Sequence, residues 1–140
     1  MADILIVDDE EMDRVLETAI LEKAGHDLLY ARDGNAALEV CRTRDVDVVI
    51  TDLAMPESSG LRLILELRDR NFDVPIIAIS GWAKDQLDLA EDLGADHTLL
   101  KPVTREALLA AVEKVLEPPT RPAPTDLFAP REVELEEGFE

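Results

Sequence analysis

Residues 46–52 read VDVVITD. From Val46 to Thr51 the run is short, rich in β-branched side chains and apolar apart from Asp47 and Thr51, and it closes on an acid, Asp52. A strand covered on both faces reads this way, because neither face has to meet water. The flanking stretches have a different period. Asn35–Arg44 puts Ala37, Leu38 and Cys41 on one helical face, and Leu61–Arg70 does the same with Leu63, Ile64 and Leu67. The unit is helix, buried strand, helix.

The same alternation continues in both directions. Upstream, Ile4–Val7 reads as a first strand. Glu11–Ala24 follows as a helix, with Met12, Val15, Leu16, Ala19, Ile20 and Ala24 at helical spacing and Gly25 as its stop. Leu28–Ala31 reads as the second strand. Downstream come Val74–Ser80 as a strand, Lys84–Leu93 as a helix closed by Gly94, and Thr98–Leu100 as a short fifth strand. Thr104 is placed to cap the last helix, which turns Ala107, Leu108, Ala111, Val112 and Val115 inward; Glu106 in its first turn suits the helix dipole. Five strand–helix repeats imply right-handed crossovers and an α/β fold: a doubly wound five-stranded parallel sheet, (βα)5, with helices on both faces.

This body ends at residue 117. Residues 118–140 hold five of the eight prolines, with six acids against Arg121 and Arg131, and no sustained hydrophobic period. They read as an extended, mostly disordered acidic tail. Leu127, Phe128, Val133, Leu135 and Phe139 are its only large apolar anchors. The 23 residues after Glu117 are too few and too polar for a DNA-binding output domain, so a stand-alone domain is expected.

The chain carries 14 Lys plus Arg against 32 Asp plus Glu, a formal net charge of −18. That charge repels nucleic acid and anionic lipid and favours a divalent cation. One cysteine, Cys41, excludes an internal disulfide and suits a reducing compartment; it reads as a small buried side chain of the second helix. No apolar run approaches the roughly 18 residues of a membrane span, and MADILIVDDEEMD is no leader peptide. A cytoplasmic location is expected.

In a doubly wound sheet, ligands sit beyond the carboxyl ends of the strands. The residues there are Asp8 and Asp9 after the first strand, Asp52 after the third, Ser80 at the end of the fourth, and Lys101 with Pro102 after the fifth. Clustered carboxylates repel one another unless a cation joins them, and an all-oxygen set selects Mg²⁺, Mn²⁺ or Ca²⁺. Lys101 adds something that a metal cage alone does not need. An ammonium balances charge on a phosphoryl group, and a serine hydroxyl can donate to one. The set suits a carboxylate that becomes an aspartyl-phosphate.

With those residues in view, ILIVDDE, DLAMPESSG, PIIAISG and GADHTLLKPV resemble the receiver domain of two-component response regulators over residues 3–117. Four elements in this order, with Asp9, Asp52, Ser80 and Lys101 about 43, 28 and 21 residues apart, are together a specific signal. The resemblance implies a flavodoxin-like fold and a role for each residue. Asp52 corresponds to the phosphoacceptor. Asp9 corresponds to a direct Mg²⁺ ligand, Asp8 to one acting largely through metal-bound water, and Ala54 to a backbone carbonyl ligand; Mn²⁺ can stand in for Mg²⁺. Lys101 corresponds to the lysine that pairs with the phosphoryl group, Ser80 to the switch hydroxyl, Gly81 to the gap left for the donor, and Pro102 to the proline that fixes the loop.

Two positions depart from the pattern. Thr98 stands where the switch partner is usually aromatic, and Val103 where Phe is common. Trp82 is a substitute candidate near the site, expected to shield the aspartyl-phosphate from water. The implied donor is a sensor histidine kinase or a histidine phosphotransfer protein, and output passes to an unidentified downstream protein by contact. The sequence leaves the oligomeric state open, a homodimer included. Two other readings compete. One is a non-phosphorylated receiver-like binding scaffold. The other is a metal-dependent phosphohydrolase, which Asp8-Asp9-Glu10 disfavours because such enzymes use Asp-x-Asp at the first strand.

Overall fold

The computed structural model describes residues 2–53, 60–81 and 84–117. The order is β1 (Asp3–Val7), α1 (Glu11–Lys23), β2 (Asp27–Ala31), α2 (Gly34–Thr43), β3 (Val48–Asp52), α3 (Gly60–Asp69), β4 (Ile76–Ser80), α4 (Lys84–Leu93), β5 (His97–Leu100) and α5 (Arg105–Leu116). The strands form one parallel sheet in the order β2-β1-β3-β4-β5. This is the doubly wound architecture that the alternation implies, and the flavodoxin-like fold that the resemblance implies.

Strand periodicity divides the core into two halves. On one face Leu5, Val7, Val49, Ile76 and Ala78 pack with Leu38 and Cys41 of α2, Leu63, Ile64 and Leu67 of α3, and Leu87 of α4. On the other, Ile4, Ile6, Val48, Ile50, Ile77 and Ile79 pack with Leu21 of α1 and Leu108, Ala111 and Val112 of α5. Each Val, Leu or Ile side chain taken out of water contributes roughly 2 kcal/mol. The expected inward face of α5 is present, with Ala107 and Val115 half-buried at its margins. Thr104 caps α5 by accepting from the Ala107 amide at 3.0 Å. Asp33 caps α2 in the same way, at 2.8 Å from the Ala36 amide.

α1 departs from the apolar pattern. Met12, Val15 and Leu16 are 70%, 57% and 61% exposed, and the fully inward positions are Glu17 and Leu21. The helix is rotated so that Asp13 and Glu17 face the strand ends. Met12, Val15 and Leu16 lie outside, while Leu21 and part of Ile20 reach the core.

Two glycines fix approaches that another residue would block. Gly94 ends α4 at φ +126°, and a Cβ there would lie 2.7 Å from Arg68 Cγ. The Arg68 guanidinium donates to the carbonyls of Phe72, Val74 and Gly94 and to Asp96, tying α3 to the start of β4 and β5. Gly60 begins α3 directly against β3: a Cβ there would sit 2.3 Å from the Asp52 carbonyl oxygen and 2.9 Å from Leu53 Cα. Alanine normally stabilises a helix by about 1 kcal/mol over glycine. Here the overlap is with backbone, which cannot swing aside. Gly60→Ala is therefore expected to destabilise the fold by about 1–3 kcal/mol, read as a lower urea midpoint. An unchanged or raised midpoint would show that α3 can move away from Asp52 freely.

Candidate functional site

Four strands deliver the site. β1 ends at Val7, so Asp8 emerges at the sheet edge and its amide still bonds the Ala31 carbonyl at 3.2 Å. β3 includes Asp52 as its last residue, one position later than the apolar run suggests, and Asp52 is only 5% exposed. β4 ends at Ser80, which is wholly buried and whose carbonyl accepts the Lys101 amide at 2.8 Å. That bond sets Lys101 beside the end of β4, with its stem 3.5 Å from where a Gly81 Cβ would stand.

Asp8, Asp52 and Lys101, three residues singled out in the sequence, come together. Lys101 Nζ donates to Asp52 Oδ2 at 3.0 Å. Ser80 lies on the neighbouring strand end. Asp9 is exposed, next to Asp8 but outside the group of converging carboxylates. Ala54, Pro56, Trp82 and residues 118–140 lie outside the described residues.

Sequence reasoning missed Asp13. It joins Asp8 and Asp52 in a set whose carboxylate oxygens lie within 4.8 Å of one another, and it accepts from Lys101 Nζ at 2.7 Å. Glu17, one helical turn further along α1, lies just behind it. The signal was the acidic pair at i, i+4, masked by bulky apolar neighbours on the same helix.

The electrostatics follow from burial. Each pair of like charges in this set repels by about 3 kcal/mol at an effective dielectric near 20. Burial, then the Asp52 charge, raises the Asp8 carboxyl to about 6, although its Oδ1 accepts the Glu10 amide at 2.8 Å. Burial raises Glu17 further, to about 8, helped by Asp8 and Asp13. Burial also works against the Lys101 charge, but the hydrogen bonds to Asp13 and Asp52 outweigh it and hold the ammonium above the usual lysine range.

One ammonium cannot balance three buried or half-buried carboxylates. The donors are all oxygen. With Asp13 paired to Lys101, Asp8 and Asp52 are the converging oxygens left to fit a hard divalent cation such as Mg²⁺. Asp8 must be ionised to serve, so Mg²⁺ affinity is expected to fall as pH drops through about 6. Binding isotherms at about pH 7 and about pH 5 check this, with weakening of about fivefold or more expected at the lower pH. Equal affinity at both would place the cation away from Asp8.

A five-stranded doubly wound fold with an acid cluster and a lysine at its carboxyl edge defines a receiver-type phosphoacceptor domain. Comparison with known proteins bears this out. The family model described as the response regulator receiver domain matches residues 4–113. The chain belongs to that family.

It is 34% identical over 116 residues to the alkaline phosphatase synthesis transcriptional regulatory protein PhoP of Bacillus subtilis, covering 81% of this chain and 48% of that protein. The chain thus spans about half the length of that curated relative. Among solved structures, it resembles a response regulator receiver domain protein from Clostridium thermocellum, with TM-score 0.77 and 31% identity over 83% of this chain and 94% of that one. It also resembles the chemotaxis response regulator CheY4 of Vibrio cholerae, with TM-score 0.75 and 29% identity over 83% of this chain and 99% of that one. Receiver domains are phosphoacceptor signalling domains that bind Mg²⁺ in an acidic site and interact with sensor kinases and phosphotransfer proteins.

Proposed function

We propose that Asp52 accepts a phosphoryl group from a sensor histidine kinase or a histidine phosphotransfer protein. An Asp52 carboxylate oxygen attacks phosphorus, the P–N bond to the donor histidine breaks, and the imidazole leaves. Lys101 and Ser80 then offer a charge and a hydroxyl to the transferred group. Mg²⁺, or Mn²⁺, would be held by Asp8, Asp9, Asp52 and the Ala54 carbonyl; when bound, it neutralises charge on the phosphoryl oxygens.

The observation that carries this reading is the placement of Asp52: nearly buried at a strand end, with a second acid and an ammonium within reach. The product is an acyl phosphate on the protein itself, which makes the chain a phosphoacceptor rather than a turnover enzyme. Two similar solved chains are matched over 94% and 99% of their length, which supports signalling through the receiver's own surface by protein–protein contact. No described helix is long and apolar enough to cross a membrane, and the single cysteine suits the cytoplasm.

The test uses acetyl phosphate as donor and intact mass as readout. One added phosphoryl group is expected with Mg²⁺ present, and none when a chelator removes the metal. Absence of any adduct with metal and excess donor would turn the reading toward a binding scaffold.

A further inference from the structure

We propose that Asp13 is a positioning residue, which anchors the Lys101 ammonium at the phosphoacceptor from the side of α1. The inference rests on the reading of Asp52 as phosphoacceptor and adds a residue to it.

The geometry is specific. Lys101 Nζ lies between two acceptors, Asp13 Oδ2 at 2.7 Å and Asp52 Oδ2 at 3.0 Å. Asp13 is the closer of the two and lies 88 residues away along the chain. An ammonium has three N–H donors. Two are committed here, and the third has no partner among the described residues. A phosphoryl oxygen arriving at Asp52 can take it without the lysine moving.

A lysine needs such an anchor. Its four-carbon stem is flexible and its charge sits at the tip. Lys101 also lines a cavity of about 370 Å³ beside Leu16, Glu17, Ile20, Val103 and Leu108. That cavity gives the side chain room to swing off the site. Its walls are mostly apolar, and the polar alternative within it is Glu17, one turn along α1. The Glu17 carboxyl makes no hydrogen bond or ion pair among the described residues, and the residue is 6% exposed. Two acids on one helix thus offer Lys101 two places. Asp13 holds it at Asp52; Glu17 would draw it a turn away.

Asp13 is half-buried on the first turns of α1, and Asp13→Asn keeps its shape, so the fold is expected to survive. Two measurements on the full chain decide the matter. The first is the 1H–15N signal of the Lys101 ammonium, which persists when hydrogen exchange is slowed by ion pairing. It should be present in the parent chain and in Asp13→Glu, and lost in Asp13→Asn. The second is the rate of phosphorylation by acetyl phosphate at saturating Mg²⁺. Asp13→Asn should slow it about tenfold, and Asp13→Glu should restore most of the rate. In a Lys101→Met background, Asp13→Asn should change the residual rate by no more than about twofold, because its effect passes through the lysine.

A persistent ammonium signal in Asp13→Asn overturns the anchor. So does an unchanged rate, or an equal rate loss with and without Lys101; the last would mean that Asp13 acts on the metal or donor directly. If the parent chain takes up no phosphoryl group, the reading of Asp52 fails instead, and the ammonium signal still decides the contact.

Discussion

Asp52→Asn is expected to abolish phosphoryl uptake completely, while the chain stays folded. The amide has nearly the same volume as the acid, so the packing at the end of β3 is preserved, but it is not a nucleophile toward phosphorus. The substitution also removes one of three converging charges. Asp8 is raised to about 6 by burial first and by the Asp52 charge among the lesser causes. Its titration, followed by carboxyl NMR, should therefore move down in the variant. An adduct of undiminished yield in Asp52→Asn would place the acceptor at another carboxylate, with Asp8 and Asp13 the nearest alternatives.

The second large effect is on stability. Glu17 is a buried carboxyl with no hydrogen-bond partner among the described residues, and it stands where α1 meets the sheet. Its carboxyl is held near 8 in the fold, against 4.5 for the free group. The folded state therefore keeps a proton that the unfolded state releases. Stability from this group is fully present below about 4.5, declines as pH rises from there, and is lost above about 8.

At about pH 7 the deficit is on the order of 3 kcal/mol. Glu17→Leu removes the ionisable group and adds an apolar side chain beside Leu16, Ile20 and Leu108, so it should raise the unfolding free energy by about that amount at neutral pH. The gain should shrink toward pH 5, where the unfolded chain also keeps part of its proton and the deficit is smaller. Urea titrations at the two pH values measure the difference. A variant no more stable than the parent at neutral pH would mean that Glu17 reaches a compensating partner in solution.

The contrast between these residues shows what a sequence displays. Asp8, Asp52 and Lys101 were legible because each closes or follows an apolar strand run, and because a parallel sheet delivers all its strand ends to one edge. The parallel sheet and the helix packing on both faces followed from the same alternation. Asp13 and Glu17 were not legible. On α1 the apolar residues Met12, Val15, Leu16 and Ala19 outnumber the inward positions, so the hydrophobic pattern points the wrong way round the helix. Asp13 pairs with Lys101, and local periodicity carries no trace of a partner 88 residues away. The apolar face left outside would have read as core.

The central claim is that the acyl phosphate forms on Asp52. Borohydride reduces an aspartyl-phosphate, expelling phosphate and leaving homoserine, which survives proteolysis. The chain treated with acetyl phosphate and Mg²⁺, reduced, digested and mapped should carry homoserine at position 52 and nowhere else, and the conversion should vanish when the metal is chelated. Homoserine at position 8, 9 or 13, or conversion at position 52 that proceeds equally well without metal, would contradict the account.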